Sequence, residues 1–235
     1  MKFLPLFILA LAAAGCSTVQ KPYIAEAAPA MPTKLNTYRA FASEKDFTVD
    51  LKDIYSMQRS FWSDKRDGKD YFGAFSAFVM KDASNEEGNA RLVVYLEHPD
   101  NFGEMVKVVD NNKFIWSGLM AGTEPSLSVN RKNSLMIETG NDAVGRGAWH
   151  ETVTAKVLAS SGKVEVIGYD YSDFDKLGID DGHSCSYNFL TGQATAKIFK
   201  ARTDKVIERK VKGIKKTISL NDWTEESKPK DCLPK

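Results

Sequence analysis

The stretch AWHETVTAKVLASSGKVEVIGYDYSDFDKLGIDDGHSCSYNFLTGQATAKI, residues 148–198, decides the fold. From Trp149 every second residue is Trp149, Glu151, Val153, Ala155 and Val157, and the intervening set is His150, Thr152, Thr154, Lys156 and Leu158. The first set is mostly apolar and the second mostly polar, the period-two pattern of a strand that buries one face. Ser160-Ser161-Gly162 breaks the run, and a glycine there can take the positive φ of a hairpin. A return strand is predicted over 163–171, with Val164 and Val166 on one face and Ile167, Tyr169 and Tyr171 on the other. A polar loop follows over 172–184. Cys185, Tyr187 and Phe189 then share one face of a third strand, Thr191-Gly192 turns the chain, and Ala194, Ala196 and Ile198 share a face of a fourth. Strands joined by such short turns form an antiparallel meander.

Outward from this stretch, 235 residues suffice for one good core. A 43% hydrophobic and 27% charged composition places the chain among ordinary globular domains. The net charge of +1 excludes a global field that would drive it onto nucleic acid.

Met1-Lys2 and the apolar run 3–14 have the layout of an export signal, too short to span a bilayer. Ala13-Ala14-Gly15-Cys16 resembles the lipobox of bacterial lipoproteins, with Ala13 where leucine is usual. The resemblance implies cleavage after residue 15 and lipidation of Cys16, palmitate included, so that the protein meets the membrane through that lipid. Ser17 in place of aspartate leans towards the outer membrane and the periplasm. Inner-membrane and cell-surface placement stay open. Residues 16–36, with Pro22, Pro29 and Pro32, read as an Ala/Pro-rich tether, and 37–235 as one β-rich domain. With Cys16 committed to lipid, an oxidising compartment leaves Cys185 and Cys232 to pair, which would pin the tail to the sheet.

The remaining elements follow in order. Leu51, Ile54, Tyr55, Phe61 and Trp62 fall on one helical face behind Asp50 as N-cap, so a short amphipathic helix is predicted over 50–62. Residues 63–70 read as a polar turn and 72–80 as a central strand, apolar on both faces. Strands are expected over 90–96, ended by Pro99, and 104–109, with a hairpin from 126–129 to 134–138. Segments 205–211 and 217–223 close the chain. The expected fold is mainly β: a single antiparallel sheet (meander, sandwich or propeller-like) with one short N-terminal helix.

Three segments, GYD (168–170), CSYNFLTG (185–192) and LNDW (220–223), together resemble the C-terminal half of a family of exported bacterial lipoproteins with an FG-GAP-like, β-rich domain. In that family an oxygen-rich calcium loop often precedes the first apolar strand. The matching residues here are 63–71, where Asp67 and Gly68 fit but Ser63, Lys65 and Tyr71 replace oxygen ligands. The resemblance implies a fold and brings no activity with it.

Two clusters are candidate sites. The acidic segment 170–183 holds Asp170, Asp173, Asp175, Asp180 and Asp181 beside His183. It reads either as a solvated hairpin loop or as a divalent-cation or acid/base site, with Asp180, Asp181 and His183 as weak metal candidates. Residues 197–216 carry nine basic side chains against two acidic ones, a local charge of +7. Lys205, Arg209, Lys210 and Lys212 could bind an anionic envelope polymer or protein, or could guard a sheet edge against mispairing. His98, His150 and His183 have no zinc spacing, and Trp62, Trp116, Trp149 and Trp223 read as core. No catalytic constellation or cofactor is implied. The expected function is a lipid-anchored, non-catalytic binding or inhibitory module; the alternative is a metal-assisted hydrolase on 170–183.

Overall fold

The computed structural model describes residues 53–82, 89–98, 104–118, 120 and 122–232. The signal segment, Cys16, the tether, Asp50, Leu51 and Pro99 lie outside the described residues. The fold is mainly β and antiparallel throughout. β1 (Ile54–Arg66), β2 (Lys69–Lys81), β3 (Asn89–Glu97) and β4 (Met105–Trp116) form one sheet in chain order. β5 (Ser126–Val129), β6 (Leu135–Asn141), β7 (Gly147–Leu158), β8 (Lys163–Asp175), β9 (Gly182–Asn188), β10 (Gln193–Phe199) and β11 (Val206–Lys212) form a second meander. β12 (Ile218–Ser219) pairs with β8 beside Glu165 and Val166.

The expected single sheet is therefore corrected to two. Period-two alternation leaves each meander with one apolar face, and such a face needs a second layer to cover it. One buried cluster draws Trp62, Phe75, Leu92 and Leu96 from the first sheet and Leu135, Val153, Val157 and Tyr169 from the second.

The predicted N-terminal helix is also corrected: from Ile54 onward its residues lie in β1, paired with β2 from Ile54↔Met80 to Arg66↔Lys69. The inward set there is largely polar, which hides the strand period. Ser56 Oγ accepts from the Leu127 N–H at 3.0 Å, and Asp64 Oδ2 accepts from the Ala159 N–H at 2.7 Å. Those side chains tie the first sheet to the second, while Phe61, assigned to the apolar stripe, is 64% exposed. Asp67 (φ 50°) and Gly68 (φ 74°) make the two-residue turn from β1 to β2. Both central residues have positive φ, as a type I′ hairpin requires. Residues 63–71 thus form a tight hairpin, with Ser63↔Phe72 and Lys65↔Asp70 paired across it.

Within the deciding stretch, β7 buries Glu151, Val153, Ala155 and Val157 as the alternation predicts. β8 departs from strict alternation. Thr154 pairs with Gly168 but Ala155 with Val166, so Ile167 is an extra residue, a β-bulge. The bulge reverses the parity beyond it and places Tyr169 inside with Val164 and Val166. The loop predicted over 172–184 shrinks to 176–181, because Ser172↔Ser184 and Asp173↔His183 extend the ladder.

The tail closes the molecule. Single 3-10 turns at Leu220–Asp222, Glu225–Ser227 and Lys230–Cys232 follow β12. Leu220 and Trp223 are fully buried, and Cys232 is bonded to Cys185. Asn111 on β4, 2% exposed, donates to the carbonyls of Leu220 (2.7 Å) and Trp223 (2.8 Å). The neighbouring Asp110 N–H donates to Asn221 Oδ1 at 2.9 Å. The Asp110 carboxylate takes two bonds from Arg91, each 2.6 Å, and one from Lys107 at 3.0 Å. Those cations hold its pKa below the ordinary 3.8. A depressed carboxylate stabilises the fold above its unfolded pKa, and that contribution is lost as pH falls through the folded value. Asp110→Asn is expected to cost on the order of 1 kcal/mol at neutral pH. Thermal melts of both proteins from neutral to acid pH should converge below the ordinary carboxylate range; a gap that stays constant would contradict this.

Candidate functional site

The acidic segment disperses its charges. Asp175, at the end of β8, accepts two bonds from Arg146 at 2.7 Å and the backbone N–H groups of Leu177, Ile179 and Asp180. The guanidinium and these amides hold its carboxyl far below the usual carboxylate range. Arg146 also holds Asp180 at 2.6 Å. Asp181 pairs with Lys200 at 2.5 Å and accepts the Ala201 N–H at 2.8 Å, which likewise lowers its pKa. His183 Nδ1 lies 2.9 Å from Asp173 Oδ1. Asp180, Asp181 and His183 are thus each engaged by a different partner. Among the described residues no three His, Cys, Asp or Glu side chains are grouped to hold a metal ion.

The basic cluster is brought together on a sheet edge. β11 pairs with β10 from Gln193↔Lys212 to Phe199↔Val206, and it ends the second sheet. Six of its seven residues are exposed, so neither face is covered. Lys197 and Glu208 form a cross-strand pair at 3.4 Å. Lys200 is taken by Asp181. Lys205, Arg209, Lys210 and Lys212 are exposed and form no ion pair among the described residues. Arg209 lies on one face of β11, and Lys210 and Lys212 on the other.

A third feature escaped the sequence reading. Glu151 lies on the buried face of β7 at 2% exposure. Its Oε2 accepts from Lys228 Nζ at 2.6 Å, and the same Nζ lies 2.6 Å from Glu225 Oε2. Burial raises the Glu151 pKa above the ordinary 4.5, against the pull of Lys228. Glu151 Oε1 and the Tyr169 hydroxyl are buried without a hydrogen-bond partner among the described residues. They lie near enough to influence each other's ionisation without meeting hydrogen-bond geometry. Burial and the adjacent Asp173 push Tyr171 up to about 12. A cleft of about 320 Å³ opens over this group, walled by Trp116, Trp149, Phe114 and Tyr171. A neighbouring groove of about 410 Å³ shares Trp149 and Tyr171 and runs along the Arg146–Asp175 pair.

Trp62 and Trp223 are core, as read from the sequence, whereas Trp116 and Trp149 are half-buried on the cleft wall. The signal for Glu151 was present: it was the one charged residue in the apolar set 149–157. Nothing local marks Lys228, whose role depends on where the tail docks. Comparison of the chain with family models, with curated proteins and with solved structures returned no match.

Proposed function

We propose that the protein is a lipid-anchored envelope component, held at the outer membrane through Cys16 and facing the periplasm. In this reading its β-rich domain, of the exported type that GYD, CSYNFLTG and LNDW resemble, is a non-catalytic module that binds an anionic envelope component along β11. The observation that carries the reading is the open basic edge. Arg209, Lys210 and Lys212 stand exposed on both faces of a terminal strand, with Lys205 just before it. An edge strand also offers unpaired backbone groups to an incoming chain. The Cys185–Cys232 bond supports an oxidising compartment. The dispersal of Asp180, Asp181 and His183 onto separate partners gives the hydrolase alternative no assembled site.

The test is binding of the purified protein to a polyanion and to anionic vesicles across a salt series. Near an anionic surface each basic residue contributes about 1 kcal/mol, so reversing Lys205, Arg209, Lys210 and Lys212 to Glu should weaken binding at least about a hundredfold. Wild-type affinity should fall steeply as salt rises. Equal binding by the fourfold variant, or affinity indifferent to salt, would sink the reading.

A further inference from the structure

Resting on the reading that β11 meets an anionic component, we propose that this component is an acidic polypeptide segment, which adds to β11 as a further antiparallel strand.

Backbone parity sets which groups β11 offers. The Gly213 N–H donates to the Gly192 carbonyl at 2.7 Å, and the Lys200 N–H donates to the Lys205 carbonyl at 3.0 Å. Between these two bonds the ladder runs from Gln193↔Lys212 to Phe199↔Val206 without a bulge. Residues of an antiparallel strand alternate between bonding one neighbour and facing the other. The N–H and C=O groups of Ile207, Arg209 and Val211 therefore face β10, in phase with Lys205 and Gly213. Those of Val206, Glu208, Lys210 and Lys212 face the open edge, with which no other strand pairs among the described residues. The segment is also fixed at both ends. Asp181 accepts from Lys200 Nζ and the Ala201 N–H before it, and the Tyr187 hydroxyl donates to the Ile214 carbonyl after it. A preorganised edge loses little freedom when a strand is added. Of the usual devices that protect an edge, β11 has its lysines but neither a proline nor a bulge.

Side chains select the partner. Lys210 and Lys212 share one face about 7 Å apart, and Arg209 lies on the other. Carboxylates of an incoming strand stand directly opposite them. Glu208 is already taken by Lys197 at 3.4 Å. Val206 and Ile207, 50% and 40% exposed, occupy the other end of β11 and take apolar partners. Read antiparallel, the incoming strand is acidic first and apolar last. Polysaccharides and lipid head groups supply charge but cannot continue the ladder. A second copy of β11 brings the same positive excess and is repelled.

Calorimetric titration of the intact, disulfide-bonded protein with the capped peptide Glu-Thr-Asp-Glu-Thr-Ile-Val tests this, and saturable binding is expected. In the antiparallel register its first residue faces Lys212 and its last faces Val206. N-methylation of the third and fifth residues removes donors aimed at β11 and should weaken binding at least about tenfold. N-methylation of the second and fourth, whose amides point away, should change it by less than about twofold. Glu208→Pro deletes one outward N–H at an edge position where proline is tolerated, and it also removes a negative charge. That variant should lose the peptide yet keep the polyanion. Equal loss with both methylated peptides, full peptide affinity in a folded Glu208→Pro, or no saturable binding of the parent peptide would overturn the proposal. If polyanion binding still depended on Lys205, Arg209, Lys210 and Lys212, the broader reading of an anionic component would survive that result.

Discussion

Trp223→Ala is expected to lower the stability of the domain by about 3–5 kcal/mol. Trp223 is fully buried, its ring 5.6 Å from Phe189 in edge-to-face contact and 6.1 Å from Tyr169. It packs against β8 and the turn that follows β9, and Asn111 holds the Trp223 carbonyl and that of Leu220. The indole Nε1 has no hydrogen-bond partner among the described residues, so the loss is one of packing rather than of a polar contact. A cavity of that size collapses poorly because its walls are hydrogen-bonded strands. For a domain of this length the thermal midpoint should drop by roughly 10–15 °C. Trp223→Phe should recover part of that loss. Chemical denaturation with an unchanged slope is the check; a loss under about 1 kcal/mol would mean that the tail does not belong to the core.

Breaking the Cys185–Cys232 bond is the second large effect. The cysteines are 47 residues apart, and the loop-closure model assigns such a cross-link about 4 kcal/mol through the unfolded chain. A Cys232→Ser variant should show that loss in denaturant. The structure adds a local consequence. Lys228 lies between two anchors, Trp223 and Cys232, and the second holds it against Glu151. Without the bond, residues 224–232 keep only their own contacts, and the buried Glu151 carboxylate is left with a less secure counter-charge. Its exposure to water, followed through the fluorescence of the adjoining Trp116 and Trp149, should rise in Cys232→Ser before global unfolding. Coincident local and global transitions would show that Lys228 is held without help from the bond. The Trp223 and Cys232 effects should not add, since both act on one short tail.

Much of the fold was legible because β-structure writes its burial into alternation. Residues 149–157 show it cleanly, and the hairpin turns at Gly162 and Gly192 carry the positive φ their sequence suggested. The pairing of Cys185 with Cys232 followed from counting cysteines in a chain read as exported, with Cys16 set aside for lipid. β1 was misread because its inward residues, Ser56 and Asp64, serve the opposite sheet through hydrogen bonds, and a polar inward face carries no apolar period. The basic edge was visible as a run of lysines, although only the sheet order shows that β11 is terminal.

The strands and tight turns of residues 149–171 and 185–198, and the cross-link, were thus legible in the sequence itself, since each depends on neighbours within a few residues or on a simple count. The division into two sheets, the parity reversal at Ile167 and the meeting of Glu151 with Lys228 were decided only in the tertiary structure. Lys228 is 77 residues from Glu151, and nothing local encodes that approach. It arises because the tail must cover the apolar end of the core with Leu220 and Trp223, and in doing so carries an ammonium to a carboxylate that β7 had already turned inward.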